Sequence, residues 1–238
     1  MSSGNERFNE DALAWDTQPS VQRATALAHP AYLSRLPPPA TLSTYDVLEI
    51  GSGTGLLSLR ISPSVRSLTA VDAAEGMIAM LTAKLPTHTP PNILPVCALL
   101  EDPDDPRIGT DPVTNNFVRN RRFDLVISHL VLHHIPSPPA LFSTLYGCLK
   151  SGGTVMVTDY EDFGPEARRF HPESRMDGVE RHGVRRADVR AWLEGAGFVD
   201  VRVETAFEME KKVETEPGSG VIEHDMVFPF LICWGTKP

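Results

Sequence analysis

The sequence predicts an α/β protein: a doubly wound, mostly parallel seven-stranded sheet preceded by an N-terminal helical appendage. Three observations carry this. Seven short aliphatic or β-branched runs are bounded by Gly, Pro, Asp or Ser; helical patterns alternate with them; and the first run passes directly into a glycine-rich turn.

Taken in order, residues 10–29 read as a helix, with Leu13, Ala14, Trp15, Val21, Ala24, Leu27 and Ala28 supplying its apolar positions. The stiff stretch Pro37-Pro38-Pro39 follows. We therefore expect a lead-in and cap over 1–44 and a core domain over 45–238. Strands are expected at 45–50, 67–71, 93–99, 123–128, 154–158, 199–205 and 227–234, and helices at 55–61, 74–85, 138–149 and 185–196. Pro95 lies within the third strand, where it deletes a ladder donor and so belongs at a sheet edge. In the doubly wound order 3-2-1-4-5 the third strand is at the edge. Pro229 in the last run is expected at a bulge or strand start. Residues 100–122, 160–184 and 208–226 are polar and long for connections, so each is a mobile excursion or part of a ligand rim. The mixed-sign run Glu208–Glu216 reads as a solvated loop.

Composition narrows the partners. The chain has 238 residues with 22 Lys plus Arg against 31 Asp plus Glu, a formal charge of −9, the wrong sign for gripping a phosphate backbone or an anionic membrane. Its 21 prolines exceed the usual level of about 5% and gather in the lead-in, the third strand and the connecting segments. Cys97, Cys148 and Cys233 are far apart, without the spacing of a disulfide framework or a zinc site. The polar N-terminus and the lack of an apolar run near 18 residues lead us to expect a cytoplasmic chain.

The chemistry concentrates in Val47-Leu48-Glu49-Ile50-Gly51-Ser52-Gly53-Thr54-Gly55. Glycines after a strand let the backbone turn sharply and let a small molecule approach main-chain N–H groups. The second strand ends in Asp72, 21 residues after Gly51, the spacing at which an acidic side chain grips ribose hydroxyls. The dinucleotide pattern G-x-G-x-x-G/A fails here, because its third small residue is Leu56.

What fits instead resembles the class I S-adenosylmethionine-dependent methyltransferases, whose first motif is an acidic residue, an apolar residue and G-x-G-x-G. Asp72-Ala73-Ala74-Glu75-Gly76-Met77 is similar to the family's second motif, with Ala74 in place of Ser. Phe123 to His129 followed by Leu132-His133-His134-Ile135-Pro136 resembles the fourth-strand motif of the ubiquinone- and menaquinone-biosynthesis-like members that act on small molecules. Leu149-Lys150-Ser151-Gly152-Gly153 is similar to their turn into strand five, with Ser151 for Pro. Phe8 to Asp16 and Trp192 to Phe198 extend the resemblance over nearly the whole chain.

The resemblance implies a Rossmann-like methyltransferase fold with S-adenosyl-L-methionine as cofactor. Glu49, Gly51, Ser52, Gly53 and Gly55 would admit its methionine portion, Asp72 with Ala73 its ribose, and Met77 with Glu101 or Asp102 its adenine. Ser128 and His129 would flank the reactive end. Leu99 stands near the place of an expected acidic residue, and Glu101 and Asp102 read equally as members of a solvated acidic loop. His133 and His134 are candidate general bases or packing residues beside the cofactor. No metal is expected, since metal ligation needs a third or fourth partner that the sequence does not place. His171 and His182 could line a pocket, and Asp159, Tyr160 and Glu161 could contact a substrate. Ser128-His129-Leu130-Val131 stands where a DNA amino-methyltransferase would carry Asn/Asp-Pro-Pro-aromatic, which joins the charge in opposing nucleic acid. The expected function is methyl transfer to a small-molecule O, N or S nucleophile. The alternative is a cofactor-binding protein of this fold that regulates a partner or catalyses a non-methylating reaction. The oligomeric state is silent.

Overall fold

The computed structural model describes residues 3–238. Its frame is one sheet of seven strands: β1 (Asp46–Ile50), β2 (Ser67–Asp72), β3 (Ile93–Cys97), β4 (Phe123–His129), β5 (Leu149–Tyr160), β6 (Val199–Glu214) and β7 (Ile222–Thr236). Their order is β3-β2-β1-β4-β5-β7-β6. The first five pair in parallel, and β7 runs antiparallel between β5 and β6. Pro95 lies on the edge strand, as proline in a sheet requires. Pro229 lies within β7, just beyond the last β5 pair at Tyr160 and Phe230, where its carbonyl accepts from Glu161 N at 2.8 Å.

Strand alternation sends side chains to two cores. Leu48, Ile50, Val126 and Val155 face one layer, closed by α6 (Pro138–Cys148) and α7 (Arg186–Gly195) through Phe142, Leu145, Val189 and Leu193. Val47, Leu125 and Ile127 face the other, closed by Tyr32, Leu57, Ile61 and Leu81. Each such fully buried side chain contributes about 1.5–3 kcal/mol relative to exposure. Cys148 and Cys233 are buried, and the three cysteines are free.

The helix expected over 10–29 is two: α1 (Ser3–Trp15) and α2 (Pro19–Leu33). Pro19 at the start of α2 accounts for the break, because it has no N–H to continue α1 and its fixed φ suits a first helical turn. A short α3 (Pro39–Leu42) precedes β1. The helix expected over 55–61 shrinks to α4 (Ser58–Ile61), while α5 (Glu75–Lys84) matches its expectation.

Two connecting segments differ from expectation. Residues 100–122 run back to the amino end of the sheet, away from the glycine turn, and are pinned there. The buried Arg121 guanidinium donates to Thr110 O (2.7 Å), Ser67 Oγ (2.8 Å) and Thr69 Oγ1 (3.1 Å). They are neither free nor a rim of the glycine turn. The run Glu208–Glu216 is mostly strand, because β6 and β7 extend as a long hairpin. Met209 and Val213 are buried in alternation with exposed charges, and Lys211 between them points inward. That inward charge hid the period of two. Lys211 Nζ donates to Phe170 O and stands 4.0 Å from the centre of the Phe170 ring, and burial pushes its pKa down to about 8.

Candidate active site

The glycine turn leaves the carboxyl end of β1 with Gly51, Gly53 and Gly55 all at positive φ (68°, 54° and 83°). At Gly51 the requirement is also steric, since an added Cβ would stand 2.2 Å from Val131 Cγ2. Gly51 N and Ser52 N donate to Val71 O at 2.8 and 3.0 Å, which locks the turn onto the neighbouring strand. Asp72 then spans the cleft: Oδ2 accepts from Gly53 N and Oδ1 from Ala74 N, both at 2.8 Å. Burial raises the Asp72 pKa, and these amides act in the opposite direction. Each carboxylate oxygen retains acceptor capacity for a ligand hydroxyl.

The cradle fits a small molecule. Above Gly53 the nearest atoms to an added Cβ are Trp15 Nε1 at 3.9 Å and Met77 Sδ at 4.0 Å, so the glycine opens a slot between an indole and a thioether. Ser52 Oγ is buried there without a partner among the described residues, the type of group that a bound polar ligand satisfies.

The lead-in closes over this cleft. Asp16 at the end of α1 pairs with Lys84 Nζ at 2.5 Å and accepts from Thr54 Oγ1, while Lys84 also donates to Thr54 O at 2.6 Å. Asn9 Oδ1 accepts from Gly76 N at 2.8 Å. The sequence marked Trp15 as an apolar helix position and Asp16 only through a resemblance; their partners at Gly53, Thr54 and Lys84 are remote in the chain.

The other expected residues divide. Glu49 is buried beneath the turn, where its Oε2 accepts from Ser58 Oγ at 2.5 Å. Burial pushes its pKa up to about 8. A carboxyl raised in the folded state stabilises it fully below the unfolded pKa near 4.5 and progressively less up to about 8. Stability should therefore fall between pH 5 and 8 by up to about 1.4 kcal/mol per pH unit. Glu49→Gln should flatten that slope in urea denaturation; an unchanged slope would contradict the assignment.

Glu101 and Asp102 are exposed, and their polar contacts lie with Thr144 of α6 and in the turn at Asp104. Neither is brought to the glycine turn by a hydrogen bond. Ala73 is half-buried beside Asp72, and Met77 is buried. Ser128 Oγ donates to Ile50 O at 2.9 Å, and Ser128 O accepts from the buried Tyr32 hydroxyl at 2.6 Å. Tyr32 gave no sequence signal, yet it also reaches Thr158 Oγ1 at 3.1 Å, and His129 Nδ1 meets that oxygen at 2.7 Å. His129 is thereby held away from the cavity described next, and burial lowers its pKa to about 4.

Beyond β4 the chain enters a cavity of about 740 Å³ lined by α1, α2, the 165–175 arm and the β6–β7 hairpin. Leu130, held at φ 58°, and both His133 and His134 face it. His133 is buried with Nδ1 at 2.8 Å from Asp159 Oδ1, and its backbone N–H donates to Asp159 Oδ2 at 3.0 Å. Asp159 and Tyr160, expected as substrate contacts, are buried instead: Asp159 backs His133, and Tyr160 stacks on Phe170 with centroids 4.0 Å apart. Glu161 pairs with Arg186 at 2.7 Å outside the cavity. His171 comes into the cavity and His182 does not line it. Burial lowers the pKa of His134 and His171, and the neighbouring His133 adds to this.

A family model described as a methyltransferase domain matches residues 21–203. The chain belongs to this methyltransferase family. Wheat (Triticum aestivum) phosphoethanolamine N-methyltransferase 1 is 34% identical over 95 residues, which are 40% of this chain and 18% of the wheat protein. An uncharacterized methyltransferase of Schizosaccharomyces pombe is 24% identical over 142 residues, 60% of this chain and 47% of that protein. The chain thus spans less than half the length of these curated relatives. Among solved structures, a possible histamine N-methyltransferase from Thermotoga maritima superposes with a TM-score of 0.65 at 18% identity, covering 99% of this chain and all of the other. The DhpI complex with S-adenosylhomocysteine gives 0.60 at 22% identity, covering 99% and 96%. The DhpI chain is complexed with S-adenosylhomocysteine and a Haemonchus contortus phosphoethanolamine N-methyltransferase 2 with S-adenosyl-L-methionine, and the Rossmann-like sheet of this chain is the one expected from sequence. Among the described residues no helix is long and apolar enough to cross a membrane.

Proposed function

We propose that the methyltransferase transfers a methyl group to a small-molecule nucleophile held in the 740 Å³ cavity. One observation carries this reading: the segment 128–134 joins the two spaces. Ser128 is tied to the strand that feeds the glycine turn, while Leu130, His133 and His134 face the cavity. The volume lies in the range of pockets that enclose small ligands, about 300–1,000 Å³.

In this reading the backbone of Gly51 to Gly55 and Ser52 Oγ hold the methionine end of the cofactor, and the Asp72 carboxylate accepts from the ribose hydroxyls. Met77 and the exposed Leu99 offer apolar surface to the adenine. Glu49 buttresses the turn from below. S-adenosylmethionine supplies the activated methyl group. The protein's share is to align the acceptor, exclude water and accept a proton where the nucleophile is not already basic. His133, steadied by Asp159, is placed to accept such a proton through Nε2, which is buried without a partner among the described residues. The partner is a small molecule, and the two-unit division at residue 44 becomes functional: α1 and α2 form a cover, the rest the catalytic core.

Release of S-adenosylhomocysteine with a panel of phenols, thiols, amines and carboxylates tests the assignment. Turnover with at least one small acceptor is expected. Turnover confined to basic peptides would contradict it. The cover predicts a second result: Asp16→Ala, which frees Lys84 and Thr54, should weaken S-adenosylhomocysteine binding about 3- to 10-fold in calorimetry, corresponding to about 0.7–1.4 kcal/mol. Unchanged affinity would remove α1 from the cofactor site.

A further inference from the structure

Three imidazoles meet at the inner end of the cavity. His133 and His134 come from the turn after β4, and His171 from the arm that follows β5. One ring nitrogen of each lies within 4.8 Å of those of the other two. Their ring centroids are 3.9 Å (His133 and His134), 5.1 Å (His133 and His171) and 5.8 Å (His134 and His171) apart.

The hydrogen bonds around the cluster fix which nitrogens are free. A carbonyl oxygen can only accept, so His134 Nδ1, 2.7 Å from Gly178 O, carries its hydrogen and leaves the Nε2 lone pair open. A carboxylate likewise accepts, so His133 Nδ1 donates to Asp159 and its Nε2 is open. His133 Nε2 and His171 Nε2 are buried with no partner among the described residues. Orphaned buried polar nitrogens so close together are unfavourable; the rings of Phe8, Tyr160 and Phe170 pack against the cluster, with Arg7 and Lys211 over the first and last of them. Carboxylate and carbonyl groups behind the ligating rings are also the arrangement that orients histidines toward a metal.

We propose that His133, His134 and His171 form a binding site for one divalent d-block cation of the zinc class, with an open coordination position facing the cavity. Three neutral imidazoles and an open position are the donor set of a catalytic rather than a structural zinc site. Tetrahedral coordination at about 2.0–2.1 Å sets nitrogens about 3.3 Å apart, which side-chain rotation within the 4.8 Å cluster reaches. The open position would take a water, or the hydroxyl or thiol of an acceptor. Ligation also makes the 165–175 arm part of the acceptor wall. With a cation bound, the His133 Nε2 lone pair is a ligand, so proton acceptance at that nitrogen belongs to the metal-free chain and passes in the loaded chain to whatever occupies the open position; the site goes beyond methyl transfer and rests on the cluster.

Cobalt(II) titration of the chelator-treated full chain tests the proposal, read by visible d–d absorption and by calorimetry. One equivalent is expected to bind with micromolar or tighter affinity, zinc(II) should displace it, and His171→Gln should weaken binding at least 100-fold. His134→Gln, whose ring is only half-buried, provides a second variant with the same expected loss. Circular dichroism confirms that each variant is folded. Absence of saturable binding by the wild-type chain, or undiminished binding by both folded variants, would overturn the site. S-adenosylhomocysteine binding in the same samples keeps the two readings apart: its presence without cobalt binding contradicts the metal site alone, and its absence from the wild type contradicts the cofactor cleft alone.

Discussion

Replacing Asp72 with alanine is expected to weaken S-adenosylhomocysteine binding at least about 100-fold while the chain remains folded. The carboxylate has two tasks. It holds the amides of Gly53 and Ala74 at 2.8 Å, and in our proposal it accepts from the ribose. Hydrogen bonds to a charged group contribute about 1.5–3 kcal/mol each, so losing two toward the ligand corresponds to about 3–6 kcal/mol, or about two to four orders of magnitude in Kd. Asp72→Asn separates the tasks. An amide keeps one acceptor oxygen and turns an NH₂ toward Gly53 N or Ala74 N, so it should fall between wild type and alanine. Isothermal titration of all three chains, with urea denaturation alongside, checks this. Wild-type affinity in the alanine variant would remove the ribose assignment.

The second large effect is at Gly51. A side chain there meets two separate penalties: φ of 68°, which costs an L-residue about 1–2 kcal/mol, and a Cβ 2.2 Å from Val131 Cγ2, an overpacking that costs about 1–3 kcal/mol. Gly51→Ala should therefore lose about 2–5 kcal/mol in urea denaturation and bind S-adenosylhomocysteine poorly. Val131→Ala removes the clashing methyl groups and leaves the dihedral strain. In the double variant the overpacking part should return and the strain remain, a positive coupling between the two sites. Strict additivity would show that the steric contact is not what fixes glycine here.

How much of this was legible in the sequence depended on whether a residue's task was local. Every strand was readable in outline, because short apolar runs between turn residues have one stable packing on a doubly wound sheet, and Pro95 placed its own strand at the edge. Gly51 to Gly55 and Asp72 were readable because a turn and the end of the next strand are close in any such fold. The extension of β6 and β7 was obscured by Lys211, whose inward charge breaks the hydrophobic alternation and is satisfied by the Phe170 carbonyl and ring, 41 residues earlier. Tyr32 could not be read as a buttress of Ser128, 96 residues away. His171 sits in a polar stretch that resembles solvated loop until the arm folds back beside His133. The acidic segment 100–122 offered a rim and instead anchors the opposite end of the sheet through Arg121, a contact that required knowing where Ser67 and Thr69 would lie. Glu101 and Asp102 were plausible by position, but their hydrogen bonds turn away from the glycine loop.

The central claim is that the glycine-turn cleft and the histidine-lined cavity form one continuous active site. A crystal structure of the chain with S-adenosylhomocysteine tests it most directly. The account predicts the adenosyl group on Asp72 and the sulfur at the mouth between Leu130 and His133, with an open path into the cavity. A sulfur directed to bulk solvent, or walled off from the cavity by the 128–134 segment, would contradict it.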